Sequence, residues 1–173
     1  FLNREQILRN KRAFGALSYR ISDEAALNFE AGVSDGRFGF QAFGSFVDWQ
    51  AIAVNTHTAA SLDTSWGSVR VWWNRLGVSS GVAGPDPLLA EFVSDTLDVD
   101  GRFARTFELG STTHNITLGV GYRWKHIDWT FFTQTPTEHH YRVVFQDAMR
   151  LADPLQLVVG FRVDRHPILE DVQ

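Results

Sequence analysis

Residues 115–163 constrain this chain more than any other stretch. From residue 115 to 125 every second side chain is apolar. Ile116, Leu118, Val120, Tyr122 and Trp124 fall on one face, and Asn115, Thr117, Gly119, Gly121, Arg123 and Lys125 on the other. Period-two alternation marks a β-strand with one apolar and one polar face. Two further segments of this kind follow, 141–151 and 155–163, the second reached through a tight Ala152-Asp153-Pro154 turn. Three strands joined in this way make an antiparallel meander.

The upstream sequence repeats the plan. Strands are predicted over 11–21, 25–34, 38 to about 56, 66–76 and 96–109, so that the chain holds about eight in all. Alternation assigns Leu27, Phe29, Val99, Leu118, Val120 and Val159 to the apolar face and Asn28, Glu30, Arg102, Thr117 and Arg162 to the polar one. Turns are predicted at Ser22-Asp23-Glu24, Ser34-Asp35-Gly36, 61–65 and 110–113. The third strand is untidy around Val47-Asp48-Trp49, which predicts a bulge. Long connections are expected at 77–95, with a helical turn over 88–92, and at 130–140. Residues 1–10 read as a lead-in, 11–166 as the strand-rich unit, and 167–173 as a tail or the start of a loop.

Turns after odd-numbered strands are short, and the longest connections follow even-numbered ones. That layout belongs to outer-membrane barrels, with short turns on one side and longer loops on the other. No run approaches the 18 or more apolar residues of a transmembrane helix, which says nothing against barrel strands. The apolar face carries Val, Leu, Ala and Gly at mid-strand, with Trp73, Trp124 and Tyr141 toward the long-loop end, as an interfacial girdle requires. Arg105 and Asp147 dissent from that face, but each lies a few residues from a short turn, where an interfacial charge costs about 0–1 kcal/mol. A net charge of −4 gives no footprint for nucleic acid. The absence of cysteine fits an exported protein without disulfides. The sequence opens on Phe1 with no initiator Met, so it reads as processed or as a piece of something longer.

Three segments carry a family resemblance. Residues 141–165, YRVVFQDAMRLADPLQLVVGFRVDR, resemble the mid-barrel hairpin of TonB-dependent outer-membrane receptors. In that family a strand with a Gln-Asp pair, a tight turn with Asp, and a strand of the type Leu-x-Leu-x-x-Gly-x-Arg-aromatic-Asp follow one another. Residues 11–27 resemble an earlier hairpin of the same barrels, and 115–123 the strand before the Gln-Asp hairpin. Ala148 and Met149 depart from the pattern, standing where an acidic-aromatic pair is usual. The resemblance implies an all-β, up-and-down segment of a transmembrane barrel in the bacterial outer membrane. It implies import of a scarce nutrient and no enzymatic activity. The implied partners are the lipid bilayer, the remainder of the barrel, a plug domain missing from this chain, and an energy-coupling periplasmic protein. No TonB box is present, so the resemblance carries the barrel architecture and not the coupling. A self-contained small outer-membrane barrel, a barrel with an enzyme at its rim, and a soluble ligand-binding barrel are the other readings.

Candidate chemical groups resolve into a polar lining. Glu138, His139 and His140, with His126 nearby, suggest metal, but adjacent histidines on an extended chain point to opposite sides. Asp95, Asp98 and Asp100 lack the Gly and bidentate Glu of a calcium loop. His140 and Asp128 at the rim lack a third catalytic group. Asp98, Asp100, Arg102, Glu108, Arg123, Lys125, Arg142 and Arg150 are expected to share one interior charge ladder. The sequence therefore assigns no catalytic, cofactor or metal residue and leaves ligand-binding residues unassigned. Finally, the first and last strands are expected not to pair with each other, because closing eight strands would crowd these charges into an interior only just wide enough for side chains.

Overall fold

The computed structural model describes residues 8–41, 48–82 and 89–167. These form one antiparallel sheet of eight strands in chain order: β1 Leu8–Ser22, β2 Ala25–Gln41, β3 Asp48–Thr64, β4 Gly67–Val82, β5 Leu89–Leu109, β6 Thr112–Trp129, β7 Thr137–Ala152 and β8 Leu155–Arg165. Among the described residues β1 pairs only with β2 and β8 only with β7, so both are edges, as expected from the charge-crowding argument. Among the described residues no helix is long and apolar enough to cross a membrane, which leaves crossing by strands open.

The register carries the alternation across the whole sheet. One row runs Tyr19–Leu27–Leu62–Val69–Gly101–Val120–Val143–Val163, apolar or aromatic from edge to edge but for one glycine. One residue along each strand, the opposite face carries Ser18–Asn28–Ser61–Arg70–Asp100–Gly121–Arg142–Asp164. A slip of one residue on any strand would exchange its two faces. In and around these rows each strand keeps the face its alternation assigns, whereas further along β2 Phe38 lies on the side of Asn28, and Asp35 and Arg37 on the side of Leu27. Phe29 and Val99 lie in the next apolar row and Leu118 in the row below, while Asn28, Arg102, Thr117 and Arg162 lie opposite.

Several predicted strand ends move. The Ser34-Asp35-Gly36 segment is no turn; it continues β2 and pairs with Arg12, Lys11 and Asn10 on one side and Asn55, Val54 and Ala53 on the other. Phe38 consequently belongs to β2, not to the third strand. Asp48 and Trp49 open β3 in regular register with Gln41 and Phe40, so no bulge is found there; Val47 lies outside the described residues. Ser61–Thr64 stay in β3, and the turn is Ser65-Trp66. The predicted loop 77–95 is mostly strand: β4 reaches Val82 and β5 begins at Leu89, where a helical turn was expected. The loop 130–140 shortens because β7 begins at Thr137. In each case the neighbouring strands supply hydrogen-bond partners to backbone that the local sequence marks as irregular. The first strand begins at Leu8, ahead of the expected residue 11.

Turns after β1, β3, β5 and β7 have two residues each, and the connections after β2, β4 and β6 are longer. Strand parity puts all the short turns at one end and all the longer connections at the other. Among the described residues register shifts occur only beside short turns, between Arg20 and Ser22 and between Arg150 and Ala152. At the β5–β6 turn Gly110 takes a positive φ of 64°, which L side chains rarely adopt. At the β3–β4 turn a Cβ on Gly67 would stand 2.2 Å from the Arg102 carbonyl oxygen, so only glycine lets β4 approach β5 there.

Candidate functional site

The polar face is the surface on which chemistry could act. At its β1–β4 end, Ser18 Oγ donates to Asn28 Oδ1 at 2.6 Å, and Asn28 Nδ2 donates to Asp63 Oδ2 at 2.8 Å. Arg70 Nη2 donates to Glu30 Oε1 at 3.0 Å. Toward β8 the pairs become denser. Arg123 donates to Asp98 at 2.6 Å, Arg142 pairs with Asp100, and Arg162 Nη2 donates to Asp164 Oδ1 at 3.0 Å. The Asp100–Arg142 pair steps over β6 at Gly121, where a Cβ would stand 2.9 Å from Asp100 Oδ1 and 3.1 Å from Arg142 Nη2. Asp98, Asp100, Arg123 and Arg142 thus form the ladder the sequence implied. Arg150 instead pairs with Asp153 at the β7–β8 turn. Arg102, Lys125 and Glu108 share the face without an ion pair among the described residues.

The same face bears aromatic groups that sequence reasoning missed. Phe14 stacks on His57 with ring centroids 6.1 Å apart, and the His57 ring covers Gly32. Trp72 lies opposite Asp98. The available signal was Trp72-Trp73, two adjacent tryptophans of which only one can join the apolar face.

The histidines and acids that suggest metal or catalysis in the sequence separate in the fold. His139 lies on the apolar face, bonded to Tyr122 Oη at 2.9 Å, while His140 lies on the polar face, 3.0 Å from Glu138 Oε2. His126 is on the apolar face beside Trp124 and 3.0 Å from Thr137 Oγ1. Asp128 shares that face, on the far side of the sheet from His140, so the two cannot act on one substrate. Asp95 lies on the apolar face near Arg75, 3.6 Å away, whereas Asp98 and Asp100 point to the other face.

The apolar face is a band with charged borders. On β5, Asp95 and Arg105 lie ten residues apart on this face, with Leu97, Val99, Gly101 and Phe103 between them. Ten residues of strand span roughly 33 Å. At the 35–45° tilt of barrel strands this becomes about 25 Å of height, the thickness of an outer-membrane apolar band. Arg105 and Asp147 mark the short-turn border, and Asp147 Oδ2 is 2.8 Å from His114 Nδ1. Trp73 and Trp124 lie in the row two residues inside Asp95, near the other border, as an aromatic girdle should. Tyr122 and Tyr141 lie instead in the row of Val99, near the middle of the band, so Tyr141 is not at the long-loop end where it was expected.

Solved structures carry the same architecture. The siderophore receptor PirA from Pseudomonas aeruginosa matches with a TM-score of 0.65 at 17% identity, over 92% of this chain and 28% of that one. The ferric enterobactin receptor PfeA from the same organism matches at 0.64 and 16%, over 93% of this chain and 29% of that one. The alcaligin outer-membrane receptor FauA from Bordetella pertussis matches at 0.59 and 15%, over 91% and 28%. These are named as receptors, not enzymes. No family model matches the sequence, and no curated protein matches it. The chain spans under a third of the length of the receptors it matches. It has the fold of the transmembrane β-barrel portion of outer-membrane receptors, the architecture that its resemblance to TonB-dependent receptors implied.

Proposed function

We propose that this chain is a wall segment of a TonB-dependent receptor in the bacterial outer membrane, whose whole imports a scarce nutrient. The observation that carries the reading is the pair of adjacent rows, one apolar and one polar, unbroken across eight strands within a band about 25 Å tall. A sheet with one lipid-compatible face and one ion-paired face suits the wall of a wet pore. The bilayer, a plug domain and an energy-coupling periplasmic protein are the partners such a receptor needs. Ferric siderophores are the nutrient class suggested by the names of the structural neighbours. The polar face would contribute wall and field, not chemistry.

The test uses the full-length protein in cells starved of iron. It should fractionate with outer membranes, and its deletion should remove uptake of at least one radiolabelled ferric siderophore. Recovery in the soluble fraction would overturn the membrane reading. Outer-membrane recovery with uptake of every siderophore unchanged would leave the barrel and remove the nutrient class.

A further inference from the structure

On the apolar face of β1 and β2, above the band, three cations gather. Arg9 lies directly opposite Arg37, and Lys11 lies in the next row opposite Asp35. All three cations are exposed. Like charges placed directly opposite across strands destabilise a sheet unless something screens them. Arg37 has β1 on one side and β3 on the other, and its direct neighbours are Arg9 and Ile52, neither of them anionic. Asp35 is the nearby carboxylate. Among the described residues it makes no ion pair with Lys11 or Arg37, and its Oδ1 has no hydrogen-bond partner. Among the described residues the patch therefore holds three positive charges against one negative.

Height fixes what can meet it. Leu17 is midway along the apolar run from Ala13 to Ile21 on β1. Arg9 is eight residues above it, roughly 27 Å of strand and about 20 Å of height at barrel tilt. The band ends about 12 Å above its centre. Arg9, and Lys11 just below it, thus reach into the layer where lipid headgroups lie, on the side of the longer connections. The other end of the same hairpin is acidic, with Asp23 and Glu24 in the turn.

We propose that Arg9, Lys11 and Arg37 form a docking site for the phosphate groups of an outer-leaflet lipid, held against the outside of the barrel. The proposal rests on the membrane reading above and extends it to a bound lipid. Guanidinium groups suit phosphate through paired, charge-assisted hydrogen bonds, and each basic side chain near a charged membrane surface contributes about fivefold in affinity.

The full-length protein, purified from outer membranes in detergent, is titrated with lipopolysaccharide, phosphatidylcholine micelles and inorganic phosphate. A variant carrying R9Q, K11Q and R37Q should bind lipopolysaccharide on the order of a hundredfold more weakly, and R37Q alone about fivefold. R12Q, on the opposite face, should bind as the unaltered protein does. Equal lipopolysaccharide affinity in the triple variant and the unaltered protein would overturn the site. Equal affinity for inorganic phosphate and lipopolysaccharide would make it a free-anion site and overturn the lipid assignment. Heat-modifiable mobility, checked for each variant, separates loss of the barrel from loss of the site. A protein absent from the outer membrane would overturn both this site and the proposed function, whereas weak binding by an outer-membrane barrel would overturn the site alone.

Discussion

Val120 and Gly121 are neighbours in the chain and belong to opposite surfaces. Val120 sits among Gly101 and Val143 on a row without a charge, and Gly121 sits beneath the Asp100–Arg142 ion pair on a row made of polar groups and glycine. Neither surface is a buried core; the only apolar side chains buried among the described residues are Ala51 and Ala90. Large side chains such as Val120 and Leu118 remain 50% and 40% exposed in the middle of the sheet. A sheet that leaves its apolar face this open in water would carry a patch far larger than soluble proteins tolerate. The difference between the faces teaches that the apolar side needs a partner outside the sheet, which on the proposed reading is lipid, while ion pairs satisfy the other side within the sheet itself.

The largest effect should come from placing a charge in the apolar row. Val120→Arg should destabilise the bilayer-inserted full-length protein by about 2–4 kcal/mol, read from its denaturant midpoint in vesicles. The equivalent change at Thr117, on the polar face, should stay within about 0.5 kcal/mol. Equal costs at the two positions would break the distinction between faces.

A smaller loss should follow Arg142→Gln. The pair with Asp100 is about half exposed on both partners, so its removal should cost about 0–1 kcal/mol. Gly121→Val should disturb the same pair from below, because its first side-chain atom would meet both partners. A double-mutant cycle joining Gly121→Val and Arg142→Gln should therefore show coupling, and strict additivity would mean that the glycine is not what lets the pair cross β6.

Face assignment was legible in the sequence because period two survives wherever a strand separates two environments. Leu27, Phe29, Val99, Leu118, Val120 and Val159 all fall where their alternation puts them. Strand ends were not legible. Ser34, Asp35 and Gly36 are turn residues by composition, yet they lie in mid-strand, since beyond the apolar band both faces meet polar surroundings and composition stops marking where pairing ends. Residues 77–82 and 89–95 were misread for the same reason. Of the polar lining, the ion pairs were visible as residue types but not as partners, because Asp100 reaches Arg142 across an intervening strand. The stacking of Phe14 on His57 was not legible either, because the two rings meet across β2 at Gly32, a contact that local alternation does not mark.

Arg105→Ala should have the smallest effect, about 0–1 kcal/mol, because Arg105 lies at the short-turn border where arginine is nearly neutral. A gain in stability of about 2–4 kcal/mol would mean that Arg105 stands at the midplane and that the band has been placed too high. Sidedness can be checked without energetics. The loop 130–136 exposes Phe131 and Phe132, so chymotrypsin added to intact cells should cleave there and spare Leu109 beside the β5–β6 turn. The reverse pattern would invert the sheet in the membrane.

The most direct test places single spin labels at Leu118 and Thr117 of the full-length protein in bilayers and measures collision with oxygen and with a water-soluble nickel complex. The label at Leu118 should meet oxygen and be shielded from nickel, and the label at Thr117 should show the opposite. Nickel access at both positions would contradict a lipid-facing surface and, with it, the barrel-wall account.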